Sequence, residues 1–163
     1  HHAAGLFAYG SDPVFTRFIG ARPFTKLSQA DFFIHVLTTD NATGRRVYWV
    51  VERRTDGQAI GTMGFNLLFP IAQRLFDFGY GIAPAHWGDG TFGEAARAVL
   101  AHGFTELGAE RIQVMTRADN TRSVAAVERL GFLREGLLRQ WYAVDGGRAD
   151  CVILGMLPGE LRG

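Results

Sequence analysis

Three glycines, Gly88, Gly90 and Gly93, punctuate the stretch HWGDGTFGEAARAVL from His86 to Leu100 and fit the spacing G-x-G-x-x-G. Glycines so placed leave backbone N–H groups uncovered at the positive end of a helix dipole, which suits a phosphate or pyrophosphate without any charged side chain. The plainer alternative is a tight strand-to-helix turn that needs glycine only for its backbone, and the loop by itself does not choose between the two. Its context argues against a dinucleotide fold. There the first glycine leaves the strand directly and a second βαβ unit follows, whereas here Ala83 to Trp87 intervene and the chain later turns into a hairpin. No G-K-[ST] follows the glycines, so an ATP-type loop would lack its phosphate lysine and its magnesium hydroxyl. The five histidines show no H-x-x-x-H or H-E-x-x-H spacing, and Cys151 is the only cysteine, so neither a metal centre nor an internal disulfide is expected.

The elements that must position this loop follow from punctuation and periodicity. The opening HHAAGLFAYG reads as a helix entered partway, with His1 and His2 equally native residues or remnants of a tag. Ser11, Asp12 and Pro13 break it before a second short helix from about Val14 to Ile19. Thr25 or Ser28 can cap a third helix, whose apolar positions Leu27, Ala30, Ile34 and Leu37 recur at helical spacing up to about Thr38. RVYWVVER, a turn at Thr55 to Gln58, AIGTMGFNLL and, beyond Pro70, LFDFGYGI then predict three antiparallel strands. The glycine loop opens a helix from about Glu94 to Leu107, stopped by Gly108, and the helix returns the chain to RIQVMTR, which must lie parallel to LFDFGYGI. NTRSVAAVERLGF is a capped helix ending at Gly131, and LLRQWYAV with ADCVILGML form a closing hairpin tipped by Asp145 and Gly146. The fold class is α+β, a mixed, mostly antiparallel twisted sheet with one parallel crossover.

At 163 residues and 47% hydrophobic, the chain is sized for one domain spanning residues 1–163. Its 17 Lys and Arg against 16 Asp and Glu give no reason to expect a nucleic acid or an anionic membrane as partner. No apolar run is long enough to span a bilayer and no signal pattern opens the chain, so a cytoplasmic location is expected, in keeping with the lone cysteine. No repeat or low-complexity segment is present.

Taken together, GYGIAPAHWGDGTFGEAARAVLAHGFTELGAERIQV, RADNTRSVAAVERLGF and GRADCVILGML resemble the RimJ/RimL-type branch of the GNAT N-acetyltransferases. That pattern runs through a G-Y-x-[LI] strand, a W-G-x-G loop opening an E-A helix, an N-x-x-S-x-x-x-x-E-x-L-G-F helix and a G-x-x-D hairpin. The four blocks occur in order, and the resemblance covers about Ser11 to Leu157. It implies acetyl-CoA as co-substrate, with its pyrophosphate on the loop Trp87, Gly88, Asp89, Gly90, Thr91, Phe92 and Gly93 and its pantetheine arm along the strand end at Ile82, Ala83 and Pro84. It further implies that this strand and its parallel neighbour splay apart, with Gly79 or Gly81 as the place for a bulge. By motif position Asn120 touches the cofactor and Ser123 lies near the thioester sulfur, with Arg122 and Arg129 as phosphate contacts or, equally, as exposed salt-bridging arginines. The chain departs from the pattern at Asp89, where Lys or Arg is common and whose carboxylate is expected to face solvent, and at Phe92, where a small residue is usual. The strand that usually precedes the first helix is absent from this sequence, so an incomplete sheet edge or a shortened chain follows.

Asp77 stands where that branch often carries Glu and can take a proton from an acceptor ammonium, directly or through water. The alternative is a solvated strand face or a partner for an arginine. Ser123 can protonate the departing thiolate, or simply occupy a first helical turn where serine caps. Tyr142 is a second candidate acid. Asp150 more simply positions the hairpin or lines the acceptor pocket, Cys151 is a small core residue, and Trp49, Phe65 and Trp141 are core or pocket wall. The expected activity is acetyl transfer to a primary amine, of a peptide N-terminus or a small molecule, by direct attack in a ternary complex. The alternative is a non-catalytic acyl-CoA-binding or regulatory module of the same fold; the acceptor and a homodimer stay open.

Overall fold

A computed structural model describes residues 2–67 and 73–163. The break at Pro70 lies outside the described residues. Among them the elements run α1 (Ala3–Gly10), α2 (Pro13–Thr16), α3 (Leu27–Ala42), β1 (Arg46–Glu52), β2 (Ala59–Asn66), β3 (Leu75–Ile82), α4 (Thr91–Thr105), β4 (Arg111–Arg117), α5 (Thr121–Leu130), β5 (Leu133–Val144) and β6 (Gly147–Met156). The strands form one sheet in the order β1-β2-β3-β4-β6-β5, antiparallel throughout except between β3 and β4. The α+β class and the single parallel crossover are as the sequence predicts.

Element ends shift where caps differ from expectation. Helix α2 stops at Thr16 instead of Ile19, and α3 runs on to Ala42 instead of Thr38. Neither Thr25 nor Ser28 caps α3: Gln29 Oε1 instead reaches back to accept from the N–H groups of Thr25 (2.7 Å) and Lys26 (3.0 Å), fastening the first turn to the chain that enters it. Ala30 and Leu37 are buried as expected, but Leu27 at the first turn is exposed. Helix α4 starts at Thr91, three residues before the sequence-based start, because Gly90 takes a left-handed conformation (φ 94°) that lets the turn close directly onto it. Strand β5 begins at Leu133, four residues before LLRQWYAV.

Alternation assigns the two faces of the sheet. Met63, Phe65, Phe76 and Phe78 join Leu100, Ile112, Val114, Val127 and Leu154 in the main core beneath α4 and α5. The other face is covered by the N-terminal helices, where Leu6, Tyr9, Ala30 and Ala59 form a second, smaller core. Glycines admit this cover: a Cβ at Gly81 would lie 2.8 Å from the Phe15 ring.

Trp49, partly buried, packs edge-on against Phe65 of the main core. Trp141 does not: it is 52% exposed. The ladder between β5 and β6 shifts register between Leu138 and Tyr142, with Gln140 at φ 53°, and this irregularity on an edge strand turns the indole out.

Candidate active site

The site is an opening between two strands. β3 and β4 pair only at Leu75↔Arg111, Phe76↔Ile112 and Asp77↔Gln113, after which they diverge. Yet β3 stays in unbroken register with β2 through Ile82, so no bulge occurs at Gly79 or Gly81 and the expected bulge is corrected. Those glycines serve close approach instead. A Cβ at Gly79 would run into the Tyr48 hydroxyl, and one at Gly81 into Phe15. Because the Ala83 N–H donates to the Ile60 carbonyl (2.8 Å), alternation points the backbone groups of Asp77, Gly79 and Gly81 at β2, and those of Phe78, Tyr80 and Ile82 toward β4. The divergence therefore leaves backbone groups of Tyr80 and Ile82 aimed into the opening without a strand partner. A cavity of about 240 Å³ fills it, lined by Asp77, Tyr80, Thr116, Asn120, Ser123 and Tyr142 among others.

Asp77 lies on the face covered by the N-terminal helices. It is half-buried and meets no arginine: Asn66 Nδ2 donates to Oδ2 (3.2 Å), while Oδ1 is buried with no partner of hydrogen-bonding geometry among the described residues. Burial pushes the carboxyl above its usual range, and the Asn66 and Gln113 amides offset this only in part. Such a carboxyl holds a proton more readily than a solvated one, which favours proton acceptance over ion pairing. Tyr142 lines the same cavity with its hydroxyl 3.8 Å from Cys151 Sγ, and burial raises both groups above their ordinary values. Tyr142 pairs with Ala149 and Arg117 with Cys151, so Tyr142, Cys151 and Arg117 share the Asp77 face. Arg117 closes that chamber by donating to the Arg17 carbonyl (3.2 Å), pairing with Asp119 (2.6 Å) and lying over the Phe18 ring. Cys151 is fully buried, and Asp150 positions the hairpin by accepting the Gln140 N–H (2.7 Å).

Ser123 lies across the sheet, on the face of α5. Asn120 caps that helix, its side chain accepting from the Ser123 N–H (3.4 Å). The Ser123 hydroxyl takes no part in capping: it bonds the Tyr80 hydroxyl (2.6 Å) and accepts from Thr116 Oγ1 (3.4 Å). Tyr80, the tyrosine of the G-Y-x-[LI] strand, is the site residue to which the sequence assigns no role. The signal was present in GYG, whose central side chain must face the opposite way from Asp77, but its partner is 43 residues away and only the tertiary register joins them. Carboxyl and hydroxyl pair thus approach one opening from opposite faces.

The glycine loop lies at the C-terminal end of β3. Gly88 (φ 86°) and Gly90 (φ 94°) occupy left-handed conformations, and nothing lies within 4 Å of a Cβ built on either. Gly93 is helical and has no such conformational need. Asp89 is exposed, as expected, and also folds back on its own loop. Oδ1 accepts the Thr91 N–H (2.9 Å), Oδ2 meets His86 Nδ1 (3.0 Å), and these bonds hold its carboxyl down at about 2. With Thr91 thus occupied and the Glu94 N–H donating to the Gly90 carbonyl (3.1 Å), the N–H groups of Phe92 and Gly93 keep no acceptor among the described residues. Open space over two glycines and two free donors fit an anionic group. Trp87 Nε1 donates to the Ile82 carbonyl (2.7 Å), tying loop to strand, and the Arg122 guanidinium stacks on the Trp87 ring at 4.6 Å. Ala83 spends its N–H on β2, which leaves Ile82 as the strand-end residue facing the opening. Phe92 packs on Tyr80 with ring centroids 5.0 Å apart. Arg129, in the last turn of α5, is exposed and makes no ion pair among the described residues.

The profile of the Acetyltransferase (GNAT) domain family matches residues 1–133. An uncharacterized N-acetyltransferase of Bacillus licheniformis, p20, is 33% identical over 159 residues, covering 97% of this chain and 88% of that protein. Another uncharacterized N-acetyltransferase, YoaA of Bacillus subtilis, is 33% identical over 148 residues, covering 91% and 83%. Among solved structures, Mycobacterium smegmatis RimJ in complex with CoA-disulfide superposes with a TM-score of 0.84 at 25% identity, covering 99% of this chain and 79% of that one. Spermidine N-acetyltransferase from Vibrio cholerae, in complex with CoA and spermine, shares the fold with a TM-score of 0.82 at 20% identity, covering 97% and 90%. Sequence and fold agree, and the chain belongs to the GNAT family of acetyltransferases, whose co-substrate is acetyl-CoA.

Proposed function

We propose that this chain, as a single acetyltransferase domain, acetylates a primary amine by direct attack on the thioester in the opening between β3 and β4. The observation that carries the proposal is the placement of Asp77 and Ser123 on opposite sides of that opening. The amine enters from the side of the N-terminal helices and gives its proton to Asp77, whose raised affinity suits that task. Nitrogen attacks the acyl carbon, the N–H groups of β3 aimed into the opening stabilise the developing oxyanion, and the C–S bond breaks toward Ser123. Phe92, Gly93 and the loop glycines hold the pyrophosphate, with Arg122, stacked on Trp87, and Arg129, in the last turn of α5, as phosphate contacts. Tyr142, on the Asp77 face, lines the acceptor side. The resemblance to RimJ/RimL-type enzymes extends the proposal to peptide N-termini as well as small amines.

The test is thiol release from acetyl-CoA across a panel of amines, with wild type, Asp77→Asn and Ser123→Ala compared on the amine that reacts best. Turnover that falls in both variants at unchanged acetyl-CoA affinity supports the assignment. Binding of acetyl-CoA with no turnover of any amine would favour a non-catalytic acyl-CoA-binding module.

A further inference from the structure

Ser123 has a hydrogen-bond inventory that can be closed. A hydroxyl offers one hydrogen and two acceptor positions. Thr116 donates to Ser123 Oγ at 3.4 Å, and the Tyr80 hydroxyl lies 2.6 Å away. If Tyr80 also donates, both acceptor positions are filled and the single hydrogen of Ser123 is left for a third group in the cavity. We propose that Tyr80 is a positioning residue for the leaving group, donating to Ser123 so that the serine hydrogen points at the departing sulfur and holds it as a thiolate by hydrogen bonding. This rests on the acetyltransferase function proposed above and adds a role for Tyr80 that the G-Y-x-[LI] block does not assign.

Affinities for the proton decide between a hydrogen bond and full transfer. Burial pushes the Tyr80 phenol up to about 12, with the Ser123 bond offsetting only part of the rise. An ordinary thiol lies near ~8.5. Passing a proton from Tyr80 through Ser123 to sulfur would therefore be unfavourable, whereas donation without transfer carries no such penalty. In the balanced step, the C–N bond forms as the C–S bond breaks, and the electron pair of C–S leaves with sulfur. Asp77 takes one proton from the ammonium before attack and hands it to water, the nitrogen loses its second proton by the same route as the amide forms, and the thiolate takes its own proton from water after departure. The titratable and polar groups that line the cavity with the pair are Asp77 from β3, Arg117 from β4, Tyr142 from β5 and Asn120 from α5, with Cys151 of β6 behind Tyr142, while α4 presents the Phe92 ring.

Titration of CoA bound to the protein tests this without any acceptor. Thiolate absorbance is followed against pH as a difference from ligand-free protein. In wild type the bound thiol should ionise at lower pH than free CoA, and in Tyr80→Phe, which keeps the ring packing on Phe78 and Phe92, it should move back by about half a unit or more, roughly a threefold fall in thiolate fraction. In turnover, Tyr80→Phe should lower kcat without raising the acetyl-CoA KM, and should add nothing in a Ser123→Ala background. The same titration in wild type and Tyr80→Phe, or losses that simply multiply in the double variant, would overturn the proposal. A protein that binds CoA but turns over no amine would refute the acetyltransferase function while the titration still decides the part of Tyr80.

Discussion

Along its edge with β2, strand β3 keeps six consecutive pairs, from Asn66↔Asp77 to Gly61↔Ile82, whereas along its edge with β4 pairing ends after three. The glycines divide in the same way. In the closed ladder, Gly61, Gly64, Gly79 and Gly81 are small because backbone or rings press on them. Beyond the open edge, Gly88 and Gly90 have nothing above them and are glycine for their left-handed backbone. The intact ladder fixes β3, and a fixed β3 can leave one edge unpaired so that its polar groups serve a substrate.

The harshest way to break that contrast is a methyl group in the closed ladder. A Cβ at Gly64 would strike the Val47 carbonyl and lie 2.6 Å from Tyr48 Cα, neither of which can swing aside. Gly64→Ala should cost about 3 kcal/mol or more, read as a large fall in the urea midpoint.

On the open side the largest effect is catalytic. Asp77→Asn should lower kcat by about 10²- to 10⁴-fold near neutral pH and recover much of the loss at high pH, where the amine is already neutral. The same change should stabilise the fold. Because native Asp77 binds its proton more tightly than the unfolded carboxyl does, its favourable contribution is complete below the unfolded value, near ~3.9, and is lost as pH rises through the raised native value. Asp77→Asn should therefore raise Tm at neutral pH and leave it nearly unchanged at acid pH. Loss of both activity and stability at neutral pH would mark Asp77 as scaffold.

What could be foreseen from the chain, and what could not, follows the same division. Asn120 as a cap, Gly131 as a helix stop and the hairpin tip at Asp145 and Gly146 depend on neighbours a few residues away, so spacing suffices to find them. The loop was visible too, but resemblance, not spacing, connected it to an opening between strands. The burial of Asp77, the bond from Tyr80 to Ser123 and the outward turn of Trp141 depend on register between distant segments. Asp89 is exposed as its charge suggests, but its bond to the Thr91 N–H two residues on, within reach of its short side chain, was not foreseen.

Smaller effects sharpen the glycine contrast. Gly90→Ala meets no atom within 4 Å but must hold alanine at φ 94°, so it should cost about 1–2 kcal/mol of stability and weaken acetyl-CoA binding about tenfold, read from thermal shifts with and without ligand. Asp89→Asn keeps an acceptor for the Thr91 N–H and removes a negative charge from the start of α4. It should tighten acetyl-CoA by about two- to fivefold, an advantage that salt erodes.

Hydrogen exchange along β3 tests the open edge most directly. The amides of Gly79 and Gly81 face β2 and should be slow with or without ligand, whereas those of Tyr80 and Ile82 face the opening and should slow markedly when acetyl-CoA is added. Protection that appears elsewhere while the Tyr80 and Ile82 amides exchange unchanged would contradict the placement of the thioester between β3 and β4.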